Sequence, residues 1–305
     1  MFVRVLGSAA GGGFPQWNCG CVNCRGVRDG SIRAKARSQE SVAVSADGNS
    51  WFLLNASPEV RAQIESFQRL HPRALRDTPL AGVIFTSGDL DHCLGLLSLR
   101  ESQRLNVYAT AAVRRGFVEN NAFYPTLERF EGQMRWHPLL PGEAQPLLDA
   151  AGAPSGLVLT PLPVPGKPPL HARHVAPSAE DNVGLRVVDQ RTGGVLAYVS
   201  GVAGPSPGLD QCVQAADAVF FDGTFWRRDE LVALGVGTRY AEDMSHWVLG
   251  GEHGSLGYLR GLPARRKLLI HVNNTNPVLR EDSPERAALN DAGVEVAEDG
   301  QELSL

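Results

Sequence analysis

Between Gly82 and Leu99 the chain passes from an apolar run, Gly82-Val83-Ile84-Phe85, through Thr86-Ser87-Gly88-Asp89-Leu90-Asp91-His92-Cys93, to Leu94, Leu96, Leu97 and Leu99. The run reads as a buried strand and the leucines as the buried face of a helix. A strand that turns straight into a helix requires a sheet with helices packed on it. The turn itself holds two carboxylates and an imidazole, Asp89, Asp91 and His92, at the end of a strand, where α/β folds open their clefts. Hard oxygen donors beside an imidazole suit a divalent metal. The purely structural reading of these residues is a helix start, with an aspartate capping free backbone N–H groups.

Further strands are expected at 2–7, 41–45, 51–54, 106–110, 183–188, 195–200, 218–221 and 267–272, with a last one near 294–297. Helices are expected after Ser57-Pro58-Glu59, over 91–104, from about Thr110, and over 208–216, 254–261 and 283–291. Pro161, Pro163, Pro165, Pro168 and Pro169 make 137–182 a loop or edge-strand region. Hairpins, then β-α alternation, then strands again suit a two-sheet α/β sandwich of two similar halves. One domain is expected over 1–305, with an N-terminal loop at about 8–30. A chain of 305 residues, 43% hydrophobic, has material for a sizeable core. The net charge of −4 argues against a nucleic-acid partner, and Arg28, Arg33, Lys35 and Arg37 read as solvated surface. No apolar run approaches the ~20 residues of a membrane span. Met1–Leu6 is too short for a signal-peptide core and lacks a basic leader. A cytoplasmic location without a membrane partner is the expectation.

Three of the five cysteines form Cys19-Gly20-Cys21-Val22-Asn23-Cys24. Three thiolates this close can converge on one structural zinc if the backbone turns tightly, as Gly20 and Asn23 permit. The fourth ligand must come from elsewhere, and His253 and Asn274 are the candidates. Such a site would pin a glycine-rich loop that has little core of its own. The alternative is three free or redox-active thiols. The preceding Ala9-Ala10-Gly11-Gly12-Gly13-Phe14 is no phosphate loop, since no Gly-Lys-Ser/Thr follows. It reads as a tight loop that brings bare backbone up to a site.

Chemistry-bearing residues recur in the second half. Asp222 ends the apolar run Ala218–Phe221, and His271 ends Leu268–Ile270 before an Asn-rich turn. His246 lies in Asp243-Met244-Ser245-His246-Trp247, and His171 and His174 lie in the proline-rich segment. Together these place carboxylates and histidines at several strand ends around one possible metal.

The order Thr86-x-x-Asp89-x-Asp91-His92-x-x-Gly95, then Asp222, His246 and His271, resembles the metallo-β-lactamase superfamily. The glycine-rich loop with C-x-C-x-x-C resembles its phosphodiesterase-like branch. GSAAGGGFPQWNCGCVNC, Asn55-Ala56-Ser57-Pro58-Glu59, VPGKPPL, Asp181–Arg186, FFDGTFW and LLIHVNNTNPVL are similar to the pyrroloquinoline quinone (PQQ) biosynthesis protein B family. The resemblance runs from residue 5 to about 280 and implies an αββα sandwich of two mixed sheets flanked by helices. Superfamily hydrolases use T-H-x-H-x-D-H to hold two metals about 3.5–4 Å apart. Here Ser87 and Asp89 stand where that pattern has its first two histidines. Asp91, His92, Asp222 and His271 then remain for one metal. Two histidines and a carboxylate with open positions are the ligand set of non-haem Fe(II) oxygen chemistry. Asp89 would add an oxygen ligand or a hydrogen bond to a ligand. His246 corresponds to a catalytic histidine, shuttling protons or orienting substrate, and Trp226, Trp247 and arginines would line the pocket.

The resemblance implies iron- and O2-dependent hydroxylation of the tyrosine ring of a cross-linked Glu-Tyr diamino acid, giving a catechol. The implied partners are that small molecule, O2 and other PQQ-pathway enzymes, and a homo-oligomer is compatible with it. Two other readings stand beside it. One is a zinc- or manganese-dependent hydrolase of phosphodiesters or esters. The other is a carrier that delivers the quinone or its precursor toward the periplasm.

Overall fold

The computed structural model describes residues 1–119, 121–172 and 176–305. The first half runs β1 (Phe2–Gly7), α1 (Val22–Asp29), β2 (Ser41–Ser45), β3 (Trp51–Leu54), α2 (Val60–Glu65), β4 (Leu80–Ile84), α3 (Leu90–Cys93), β5 (Leu105–Ala109), α4 (Ala111–Val118) and β6 (Met134–Pro138). The second half begins with β7 (Gln145–Leu148), β8 (Pro154–Pro163), β9 (Val183–Asp189), β10 (Val195–Val199), α5 (Pro207–Val213) and β11 (Ala218–Asp222). It ends with α6 (Glu230–Ala233), α7 (Ser255–Gly261), β12 (Arg266–Ile270), α8 (Pro284–Asp291), β13 (Glu295–Val296) and β14 (Glu302–Ser304).

The strands form two seven-stranded sheets, β14-β1-β2-β3-β4-β5-β6 and β13-β12-β11-β10-β9-β8-β7. In each, one half is antiparallel and the other parallel, from β3 to β6 and from β10 to β13. The two sheets repeat one plan, as the sequence pattern implies. Strand β11 shows why the apolar runs are unbroken. Ala218 and Phe220 face the space between the sheets, against Phe52, Ile84 and Ile270. Val219 and Phe221 face outward, against Leu209 of α5 and Leu259 of α7. On the first sheet, Leu53, Val83 and Val107 pack under Val60 of α2 and Val113 and Phe117 of α4. Strands buried on both faces lose the alternation of a half-exposed strand. The result is an αββα sandwich.

The structure departs from the sequence reading in several places, among them α1 inside the loop expected at about 8–30 and the unforeseen strands β6 and β7. The helix expected over 91–104 is the short α3 followed by a 3-10 turn at Leu94–Leu99. The His92 carbonyl accepts from Ala56 N (2.7 Å) and Gly95 N donates to the Ala56 carbonyl (3.0 Å), so both groups are taken from the helix ladder. A Cβ on Gly95 would lie 2.1 Å from the Ser57 carbonyl oxygen, which is why a glycine allows this crossing. In the proline-rich segment, β8 is a ten-residue strand. Its neighbour β7 reaches only to Leu159, so Pro161 and Pro163 sit where no outer strand needs an N–H. The short β14, with only Leu303 buried, returns to the first sheet against β1. Finally, Arg28, Arg33 and Lys35 are exposed as expected, with Lys35 and Arg33 paired to Glu298 and Glu281, but Arg37 is buried and donates to Ser8 and the Ala297 carbonyl. No helix of the described residues is long and apolar enough to cross a membrane.

Candidate metal centre

Both sheets end at one edge of the sandwich, and the chemistry-bearing residues collect there. The turn after β4 carries Thr86 to His92, β11 ends in Asp222, and His271 follows β12. His246 comes from the loop between α6 and α7. The N-terminal loop is stitched to this edge by Ala10 N to the Val272 carbonyl and Val272 N to the Ser8 carbonyl, both 3.0 Å. A Cβ on Gly11 would sit 3.1 Å from Asp91 Oδ2. This is the bare backbone approach that the glycine run implies. The cleft so formed has a volume of about 250 Å³, with Asp89, Asp91, His92, His246 and His271 among its lining residues.

Asp91, His92 and His271 each turn a ligand atom inward, all within 4.8 Å of one another. His92 Nδ1 is held by Ser87 Oγ (2.9 Å) and Thr86 Oγ1 (3.2 Å). Its Nε2 is buried with no hydrogen-bond partner among the described residues, 3.5 Å from a carboxylate oxygen of Glu40. A buried ring nitrogen without a partner is costly unless a ligand completes it. His271 adopts φ 56°, a left-handed conformation worth a penalty of about 1–3 kcal/mol. Its Nδ1 meets Thr224 Oγ1 at 2.8 Å, and that hydroxyl passes the bond on to Asp222 at 2.6 Å. Such a chain fixes the ring and leaves Nε2 for the cleft. There Nε2 meets Asp91 Oδ2 at 3.0 Å. Burial alone would lower the His271 pKa. The hydrogen bond to Asp91 and the charges of Asp91, Asp222 and Glu40 outweigh it and push it up to about 9. Burial raises Asp91, but the charge of His92 and the hydrogen bond from His271 hold it well below the usual carboxylate range. A divalent cation there would answer the same field of carboxylates and complete His92 Nε2.

Asp222, Oδ2 and Oδ1 together, accepts from Val202 N, Thr224 N, Thr224 Oγ1 and His246 Nδ1, at 3.0, 3.0, 2.6 and 2.7 Å. Burial would raise its pKa, yet the charge and hydrogen bond of His246 lower it. With four donors on one carboxylate, Asp222 chiefly orients His246. Asp222, His246 and His271 nevertheless form a second group of inward atoms within 4.8 Å. Asp89 lines the cleft and accepts from Ser87 Oγ (3.1 Å), outside both groups. Neither Trp226 nor Trp247 is among the described lining residues, where Phe225 and Met244 stand instead. Trp247 donates to the His253 carbonyl, facing away from the cleft. His171 is exposed and borders a separate, more apolar hollow of about 510 Å³ behind α3. His174 lies outside the described residues.

The three sulfurs of Cys19, Cys21 and Cys24 also converge within 4.8 Å. The Asn274 amide caps them, with Nδ2 at 3.2, 3.8 and 3.3 Å from the respective sulfurs. A half-turn of that amide presents Oδ1 at the fourth corner instead. His253, the other candidate, is exposed and belongs to no such group among the described residues. Burial and the neighbouring sulfurs push the Cys24 thiol up to about 12. Three thiolates this close repel one another unless a cation lies among them. The knot is also tied to the turn after His271, because Asn23 Nδ2 donates to the carbonyls of Asn274 (3.1 Å) and Asn276 (3.0 Å).

A family model described as a β-lactamase superfamily domain matches residues 50–272. "Coenzyme PQQ synthesis protein B" of Azotobacter vinelandii is 45% identical over 307 residues, covering 100% of both chains. The chain belongs to the coenzyme PQQ synthesis protein B family. The solved structure of Zn(2+)-bound PqqB from Methylobacterium extorquens superposes with a TM-score of 0.92 at 40% identity, covering 100% of each chain. A diphosphatase from the PhnP family shares the fold, with a TM-score of 0.67 at 21% identity over 99% of this chain and 96% of that one. The metallo-β-lactamase fold of this chain is thereby established.

For several residues of this PqqB-family site the sequence shows no role in it. Glu40, fully buried, stands behind His92 and is anchored by Asn55 Nδ2 at 3.1 Å; burial raises its pKa despite both histidines. Asn55, at φ 61°, also grips Thr86 through its N–H (3.0 Å) and hydroxyl (2.9 Å). Glu230 accepts from Trp226 N (2.8 Å) and from Thr275 Oγ1 (2.5 Å), bracing the Asn-rich turn. Burial pushes Glu230 up to about 7 from its ordinary 4.5. Between these values the unfolded carboxyl is ionised while the folded one keeps its proton, so stability falls as pH rises from about 4.5 through 7. Glu230→Gln should remove that slope. In urea unfolding across this range, the variant should gain on the parent by about 3 kcal/mol at most. A parallel pH dependence in both proteins would contradict the assignment.

Proposed function

We propose that this protein acts in PQQ synthesis as an iron- and O2-dependent hydroxylase of the tyrosine ring of a cross-linked Glu-Tyr diamino acid. The observation that carries the reading is the donor set Asp91, His92 and His271, with His92 Nε2 unpartnered among the described residues and Ser87 and Asp89 in place of two expected histidines. Asp91, His92 and His271 would hold the iron, with Asp89 beside it, and Cys19, Cys21, Cys24 and Asn274 would hold a structural zinc. Two imidazoles and one carboxylate leave positions open, and iron so bound supplies dioxygen activation. One oxygen atom enters the ring C–H ortho to the phenol. The other leaves as water, which requires two electrons from an external reductant.

The chain's own groups set the stage for this step. His246, with Nδ1 committed to Asp222, keeps Nε2 for proton exchange with the phenol. Its ring lies nearly parallel to that of His271, at 5.4 Å between centroids, with Phe225 edge-on at 5.9 Å. Phe225, Met244 and Leu170 give the cleft an apolar wall that limits water around the ring.

Protein loaded anaerobically with Fe(II) should consume O2 when given the diamino acid and ascorbate, and the product should be a catechol. Mild chelation should stop turnover and leave the cysteine-bound zinc in place. Cleavage of bis-p-nitrophenyl phosphate without oxygen uptake would favour the hydrolase, and tight binding of finished PQQ without turnover would favour the carrier. His246→Gln should retain its metal, lose about 10²–10⁴-fold in kcat, and flatten the pH–rate profile. An unaltered kcat would remove His246 from proton transfer.

A further inference from the structure

The floor of the cleft is acidic, with Asp89 and Asp91 lining it and Glu40 and Asp222 buried behind His92 and His246. An anionic ligand entering over such a floor meets like charge unless a cation receives it. Two long cations reach the described lining, Lys167 and Arg239. The Lys167 ammonium donates to the Asp243 carbonyl. Arg239 is exposed and makes no ion pair or side-chain hydrogen bond with a described residue. Its neighbours in the chain behave differently. Arg227 pairs with Asp229 at 3.3 Å, and Arg228 pairs with Glu242 and lies over the Tyr240 ring. A guanidinium at the mouth of a cleft, with no described carboxylate paired to it, is available to a ligand.

The remaining walls narrow the choice. About 250 Å³ lies at the small end of ligand pockets and suits a single ring with its short substituents. Leu170, Phe225 and Met244 supply an apolar face for a ring. We propose that Arg239 is the specificity residue of the cleft, pairing with the carboxylate of an aromatic amino acid whose ring lies over His246 and His271. The guanidinium fork matches a carboxylate in two parallel bonds, which an ammonium cannot reproduce. The proposal deepens the hydroxylase reading and rests on it for the identity of the ring, but recognition of the carboxylate can be measured without turnover.

The test uses zinc-loaded protein, which cannot turn over, and two probes that differ only by a carboxylate, L-dopa and dopamine. Calorimetric titration should show L-dopa binding about tenfold more tightly than dopamine, a margin set by one charge-assisted bidentate contact. Arg239→Ala should abolish that preference and leave dopamine binding no weaker. Arg239→Lys should restore part of it, and added salt should erode it. Equal affinities in the parent protein, or a preference that survives Arg239→Ala, would overturn the proposal. The two readings fail separately. A protein without oxygen uptake that keeps the Arg239-dependent preference loses only the hydroxylase. One that hydroxylates the diamino acid with unchanged KM in Arg239→Ala loses only the role of Arg239.

Discussion

His92→Ala and His271→Ala should each lower Fe(II) affinity by more than about 100-fold and bring oxygen uptake to background. Both rings are fixed from behind. Ser87 and Thr86 hold His92, and Thr224 holds His271, so each presents Nε2 to the same point beside Asp91. Removing either ring leaves two donors, too few for a stable centre, and frees a carboxylate that was balanced by that ring. Thr224→Val separates positioning from ligation. It keeps every donor but cuts the link from His271 Nδ1 to Asp222, and should cost about 10–100-fold in metal affinity. Equilibrium dialysis against Fe(II), with oxygen-electrode traces, reads both. Full iron retention in His92→Ala would remove that residue from the centre.

The second large effect is expected at the thiol knot. Cys24→Ser should release one equivalent of zinc and destabilise the fold on the order of 5 kcal/mol, or roughly 10–20 °C in Tm. The loss should spread beyond the loop. The knot is joined through Asn23 to Asn274 and Asn276, and Asn276 Nδ2 in turn donates to the Gly223 carbonyl (2.8 Å) beside Asp222. The same substitution should therefore weaken iron binding at His271 without touching a donor there. Calorimetry and elemental analysis of the purified variant check both parts. A variant that keeps its zinc, or loses zinc with no fall in Tm, would refute a structural role for the knot.

Much of this site is legible in the sequence because its donors sit where apolar strands stop. Asp222 and His271 each end a run buried on both faces, and such a run has no other place for a charge. The strand at 82–85 and the turn at Asp89–His92 follow the same logic. The short α3 is not legible, since Ala56, distant in sequence, takes the backbone groups that a longer helix would use. Glu40 is invisible for a related reason. It is an ordinary acid before β2 until the fold buries it against His92 and Asn55. The roles of Trp226 and Trp247 are misjudged from the sequence because adjacency to Phe225 and His246 says nothing about which face of the loop a side chain takes. The Asn274 position above the thiols follows from the packing of Asn23 on the turn after β12, a contact between opposite ends of the chain.

Anomalous diffraction from crystals of Fe(II)-reconstituted protein, recorded on both sides of the iron and zinc edges, tests the lone-cation centre most directly. The expected map has one iron peak among Asp91, His92 and His271 and a separate zinc peak among Cys19, Cys21 and Cys24. Two cations about 3.5–4 Å apart, spanning the two donor groups that share His271, would contradict it and return the cleft to hydrolytic chemistry.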